Sequence, residues 1–88
     1  MPLTRARESH LVREHEIVFL MRDGPVEIIC QIDLATLSRL GNTTTDLNEM
    51  IEIFRRDRTR IERAASDIYD RTSRQDYEIL VVTAADLA

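Results

Sequence analysis

Eighty-eight residues make one domain, carrying a net charge of −4 with no lysine among its 12 basic residues. The balance of 43% apolar and 32% charged residues is that of an ordinary globular chain, and the negative sign argues against a general polyanion binder. A single cysteine, Cys30, excludes an internal disulfide and points to a reducing compartment.

The N-terminal stretch MPLTRARESHLVREHE lacks the apolar run of a secretory signal. No stretch nears the roughly 20 apolar residues that span a bilayer, so the cytoplasm is the expected location and no membrane partner is expected. Residues 1–13 show no period and are predicted to be a flexible arm, with Leu3, Leu11 and Val12 available for docking. A single α+β domain is predicted over 14–88.

EIVFLMR (16–22) and VEIICQI (26–32) flank Asp23 and Gly24. Asp-Gly between two β-rich runs predicts a hairpin, because both central residues of a type I′ turn need positive φ. With Asp23-Gly24 as the loop, Met21 faces Val26, Phe19 faces Ile28, Ile17 faces Cys30 and His15 faces Ile32. The other face pairs Leu20 with Glu27, Val18 with Ile29 and Glu16 with Gln31. That register sorts apolar from mixed side chains.

DLATLSRLG (33–41) predicts a two-turn helix capped by Asp33, with Gly41 in the left-handed position beyond its end. After NTTT, Asp46 and Glu49 form a capping-box pattern. They open one predicted helix to Arg71, roughly 39 Å long at about 1.5 Å per residue. Leu47, Met50, Ile51, Phe54, Ile61, Ala65, Ile68 and Tyr69 share one side of it. YEILVVT (77–83) predicts a third strand, apolar on both faces from Ile79 to Val82. The predicted fold is α+β: an antiparallel three-stranded sheet built from hairpin, short helix, long helix and final strand, with the long helix on one face.

Six arginines crowd into FRRDRTRIERAASDIYDR (54–71). Arg56, Arg60 and Arg63 lie together opposite the apolar stripe and form a candidate basic belt. Seven acids oppose the six arginines between Asp46 and Arg71. A helix that binds DNA needs uncompensated charge, so a solvated face laced with ion pairs is the plainer account, and nucleic acid is not an expected partner. Arg58 differs, because it falls inside the apolar stripe with Glu62 four residues on. It either snorkels at the stripe's border or forms a partly buried pair that fixes helix docking or lines a small cleft.

Other chemistry finds little purchase. His10, Glu14, His15 and Glu16 match no metal-binding spacing. Cys30 sits on the apolar hairpin face, where cysteine is usually a small hydrophobe. Gly24 and Gly41 serve a turn and a helix end and build no phosphate cradle. No serine lies in a nucleophile elbow. No catalytic residue, cofactor or metal is expected. Val18, Leu20, Ile29, Leu80 and Val82 are expected on the sheet face that the long helix leaves bare, a candidate dimer patch.

The order of these pieces resembles the small bacterial proteins of the domain of unknown function 1488 family. The resemblance covers 16–87 and rests on Phe19, the Asp23-Gly24 turn, Cys30 and Ile32 ending a strand, and Leu37 in the short helix. It continues with Phe54, Arg58, Ile61 and Glu62 in the long helix and with Asp86-Leu87 in the tail. It implies a small bacterial α+β domain and carries no catalytic or binding residues. The functional expectation is a non-enzymatic protein-interaction or accessory module, with a protein partner or a second copy of itself. The alternatives are a small nucleic-acid-associated regulator using the Arg belt and a minor ligand binder around Arg58 and Glu62.

Overall fold

The computed structural model describes residues 3–41, 46–71 and 79–87. Four strands form one sheet in the order β1-β2-β3-β4: β1 (Thr4–Val12), β2 (Glu16–Asp23), β3 (Val26–Asp33) and β4 (Leu80–Val82). Helices α1 (Leu34–Leu40), α2 (Leu47–Arg56) and α3 (Arg58–Arg71) lie between β3 and β4, and α4 (Ala84–Leu87) follows. The class is α+β, as expected, but the sheet has four strands and is mixed.

The hairpin forms with its faces sorted as read from the sequence and its register moved by two residues. Phe19 pairs with Cys30, Met21 with Ile28, Ile17 with Ile32, and Asp23 with Val26. The loop is therefore Gly24-Pro25. Gly24 has φ +58°, whereas proline is locked near −65°. A positive φ at the first central residue alone is the pattern of a type II′ turn. Pro25, which has no N–H to give a ladder, is accommodated in the loop, so the strands start one residue later than an Asp-Gly loop would require. A shift of two preserves every side chain's face, since the strand period is two.

The predicted flexible arm is mostly a strand. β1 runs antiparallel to β2, with Thr4 opposite Arg22, Arg5 opposite Met21, His10 opposite Phe19 and Leu11 opposite Val18. The register breaks between Arg5 and His10, where five residues span what two cover on β2. This is an irregular bulge, larger than the usual one-residue kind, on an edge strand of the sheet. It explains the missing alternation. The start of the strand is tied to α3, where the Leu3 N–H donates to Ser66 Oγ at 2.9 Å.

The last strand also differs from expectation. β4 lies parallel to β3, with Cys30 opposite Leu80 and Ile32 opposite Val82, which requires a crossover such as the helices provide. Tyr77 and Glu78, placed in this strand by the sequence reading, lie outside the described residues. The expected single helix from Asp46 to Arg71 is two. Asp57, at φ −102° and ψ 13°, sits in the bridge region and divides α2 from α3. Hydrogen bonds from Asp57 N to Ile53 O and from Ile61 N to Asp57 O, both 2.9 Å, carry the ladder through the bend.

Caps follow the sequence in part. Asp46 accepts from Asn48 N at 2.9 Å. Asp33 is extended and makes no side-chain cap; the Leu34 N–H donates to His15 O at 3.0 Å instead. Gly41 has φ −102° and does not take the left-handed position. A Cβ there would lie 2.1 Å from Ile53 Cδ1, so the end of the Ile53 side chain would have to move to admit one.

The core lies between one sheet face and the helices. Ile17, Phe19, Met21, Ile28, Cys30, Ile32, Leu80 and Val82 come from the sheet, and Leu37, Ile53, Phe54, Ile61, Ala64, Ala65 and Leu87 from the helices, all buried. The rings of Phe19 and Phe54 pack tilted with centroids 5.6 Å apart. Tyr69 Oη donates to Asp23 Oδ2 at 2.6 Å and fastens the hairpin end to α3. No helix among the described residues is long and apolar enough to cross a membrane.

Candidate functional site

Arg58 opens α3 with its guanidinium turned under β1. The residue is 6% exposed and Glu62 is 8% exposed. Arg58 Nε lies 3.2 Å from Glu62 Oε2. The i, i+4 spacing read from the sequence brings this pair together, but the structure adds a third charge. Arg5 Nε and Nη2 reach Glu62 Oε2 and Oε1 at 2.8 and 2.9 Å. This is the bidentate fork that arginine makes with carboxylates. The hydrogen bonds to Glu62 are the largest influence holding the Arg5 guanidinium above its ordinary range.

The remaining arms of Arg58 go to the β1 bulge. Nη2 donates to Arg7 O at 2.7 Å and Nη1 donates to Glu8 O. These carbonyls sit where the bulge breaks the ladder, so Arg58 supplies donors that the neighbouring strand does not. Arg58 also stands over the Phe54 ring, 5.5 Å from its centroid. His10 also packs against that ring, with centroids 5.0 Å apart. Burial, reinforced by Arg58 and Arg55, holds the His10 imidazole below its ordinary pKa. The cluster Arg5–Glu62–Arg58 thus seams β1 to α3, with its donors spent on carboxylate and main-chain oxygens. A depression of about 740 Å³ between α1 and α2, floored by Leu40 and Ile53, does not include Arg58.

Two members of the candidate basic belt have partners within the chain. Arg56 Nη2 lies 3.0 Å from Asp57 Oδ2, and Arg60 donates to the Leu87 carbonyl. Arg63 is exposed. At α4, Asp86 accepts from Thr83 N and Oγ1 at 2.9 and 2.8 Å. Partial burial pushes the Asp86 carboxyl up; these bonds and Arg71 outweigh it and hold the group below its ordinary range.

The candidate dimer patch divides. Val18 and Leu20 are half-buried and Ile29 is 44% exposed, all on the face away from the helices. Leu80 and Val82, expected beside them, are 1% and 0% exposed and belong to the core. Parallel pairing to β3 sets this phase: Leu80 joins Cys30 and Val82 joins Ile32, which face the helices, while Val81 joins Gln31 on the open face. Val81 is 38% exposed and Leu11, opposite Val18, is 58% exposed. The apolar residues of the open face are therefore Leu11, Val18, Leu20, Ile29 and Val81, with Gln31 between Val18 and Val81 and a shallow depression of about 390 Å³ over the first four. β1 lies beside β2 in the sheet and does not fold over Val18 and Ile29.

Sequence reasoning missed Arg5, the bulge carbonyls and Val81, and gave Leu11 only as a docking residue of the arm. Arg5 had only the arm's positive charge as a signal. Among the described residues, no group of three or more His, Cys, Asp or Glu is placed to hold a metal ion.

No curated protein and no solved structure matches the chain. A family described as "Protein of unknown function (DUF1488)" matches residues 4–81. The match takes in all of β1, which the resemblance over 16–87 left out, and stops short of Asp86 and Leu87. With a match over nearly the whole sheet and all three principal helices, the chain belongs to the DUF1488 family of proteins of unknown function.

Proposed function

We propose that this protein is a non-enzymatic protein-interaction module that docks a partner surface on the open face of its sheet. The observation that carries this reading is the group Leu11, Val18, Leu20, Ile29 and Val81, outward on the sheet side opposite the helices. Contiguous exposed apolar surface of this kind marks interaction sites on small proteins. The hairpin beneath it is anchored by fully buried Ile17, Phe19 and Cys30, which makes the face a rigid platform. Arg58 and Glu62, the best candidates for polar chemistry, are engaged in joining β1 to α3, which favours a structural role for them over ligand binding.

A photo-crosslinking residue at position 29 tests the reading in cells. The expected outcome is a discrete protein adduct from position 29 that Leu20→Glu abolishes, and none from position 63 on the belt. Adducts from position 63 alone would overturn it. A nucleic-acid role predicts salt-sensitive binding to duplex DNA with a Kd of about 10⁻⁴–10⁻⁶ M. With Arg56 and Arg60 engaged by Asp57 and Leu87 and the chain at −4, no such binding is expected.

A further inference from the structure

We infer that the occupant of the open face is a second copy of this chain; the inference rests on the docking reading above and names its partner. Charge on and around the face supports it. Arg22 pairs across the strands with Glu27, on the side of Leu20 and Ile29. Arg7 lies 3.9 Å from Glu27, and Arg13 lies 3.4 Å from Glu16; Glu16 stands opposite Asp33. Three arginines and three carboxylates thus lie on and around the apolar centre, so both signs of charge are interleaved there although the chain carries −4. A strongly charged partner gains nothing there. A copy of the same face carries both signs too, and each finds its opposite on the rim.

Size and composition agree. Four strands about 4.8 Å apart and eight residues at about 3.4 Å outline at most about 500 Å², or about 1,000 Å² for two copies. That is the lower edge of specific interfaces. Two sheets packed face to face bury such a surface at about 10 Å separation, and a two-fold axis lets one patch serve both sides.

The test uses Ile29→Cys in the full chain. Cys30 next to it is buried, and burial, with a smaller contribution from Glu62, pushes its thiol up to about 12, so it is silent toward maleimide at neutral pH. Labelling of position 29 and sedimentation velocity are followed together from low to high micromolar protein. The expected result is a mass that doubles with concentration while labelling slows several-fold. Ile29→Lys and Leu20→Glu, each checked for an unchanged circular dichroism spectrum, should weaken the dimer about ten-fold or more. A chain that stays monomeric with position 29 freely labelled overturns the second copy and leaves the docking face standing. A monomer with position 29 protected at every concentration overturns both. A dimer that persists with position 29 open forms elsewhere and overturns the inference.

Discussion

The two faces of the sheet are built from alternate residues of the same strands, yet they solve different problems. The helix side buries Ile17, Phe19, Met21, Ile28, Cys30 and Ile32 to 3% exposure or less. Its charged members, Arg58 and Glu62, sit at the seam with β1, where each meets a partner. The open side carries residues nearly as apolar, Leu11, Ile29 and Val81, in water. The open side interleaves them with Glu16, Arg22, Glu27 and Gln31, so apolar content separates the faces only in part. What also distinguishes them is whether another layer of the same chain lies above. A sheet with one covered face satisfies the two-layer rule for a domain. The other face is left for something beyond the layer.

The comparison breaks most visibly at Phe54. Its ring is fully buried and touches Phe19, His10 and Arg58 at once. Phe54→Ala should cost about 3–5 kcal/mol, from lost transfer energy plus an unfilled cavity. Urea unfolding followed by circular dichroism measures it. A loss below about 1 kcal/mol would mean that the helix layer does not seal this face.

The seam is the next test. Arg58→Ala removes a stem packed in the core border, a contact with Phe54, and the donors of two bulge carbonyls. Arg5 still holds Glu62, so the loss should be about 1–3 kcal/mol rather than the larger cost of orphaning a buried carboxylate. Arg58→Lys should recover little, because an ammonium cannot reach a carboxylate and two carbonyls as a planar fork does. Amide exchange in β1 should rise in both variants. An unchanged unfolding midpoint for Arg58→Ala would make the side chain a mere passenger at the stripe's border.

How much of this was legible follows from where the determining interactions lie in the chain. The hairpin faces were readable because EIVFLMR and VEIICQI alternate within one strand length. The register slipped because a rigid ring at position 25 fixes the loop more firmly than the Asp-Gly pair suggests. The Arg58–Glu62 pair was readable because both members lie on one helix turn. β1 was not, since its bulge erases the period and its carbonyls are held by a residue 50 positions away. The bend at Asp57 was hidden because the apolar stripe runs on from Phe54 to Ile61 across it.

β4 gives a paired prediction on neighbouring residues. ILVV (79–82) has no alternation, so its phase is set only by pairing with β3. Val82→Thr places a hydroxyl in a site of 0% exposure and should cost about 1–2 kcal/mol. Val81→Thr, of nearly the same shape but on the open face, should stay within about 0.5 kcal/mol of the parent. Both are read as unfolding midpoints in dilute solution. The reverse order would put Leu80 and Val82 on the open face after all.

The smallest effect concerns pH at the edge of the covered face. His10 packs on Phe54 where burial disfavours its charged form, and Arg58 and Arg55 add to that. Its folded pKa lies below the ordinary value near 6.5, so the unfolded chain binds the proton more readily. The stabilisation from keeping the imidazole neutral is therefore complete above about pH 6.5 and is lost as the pH falls through the folded value. Asp86, held below the ordinary carboxylate range, changes stability in the same direction but only near pH 4 and below. The two contributions separate on the pH axis. Unfolding midpoints compared between pH 7.5 and pH 5 should drop for the parent and drop less for His10→Asn, while Asp86→Asn leaves that interval unchanged. An equal drop in parent and His10→Asn would place the imidazole in water, and the contact between β1 and Phe54 would then not be a sealed edge.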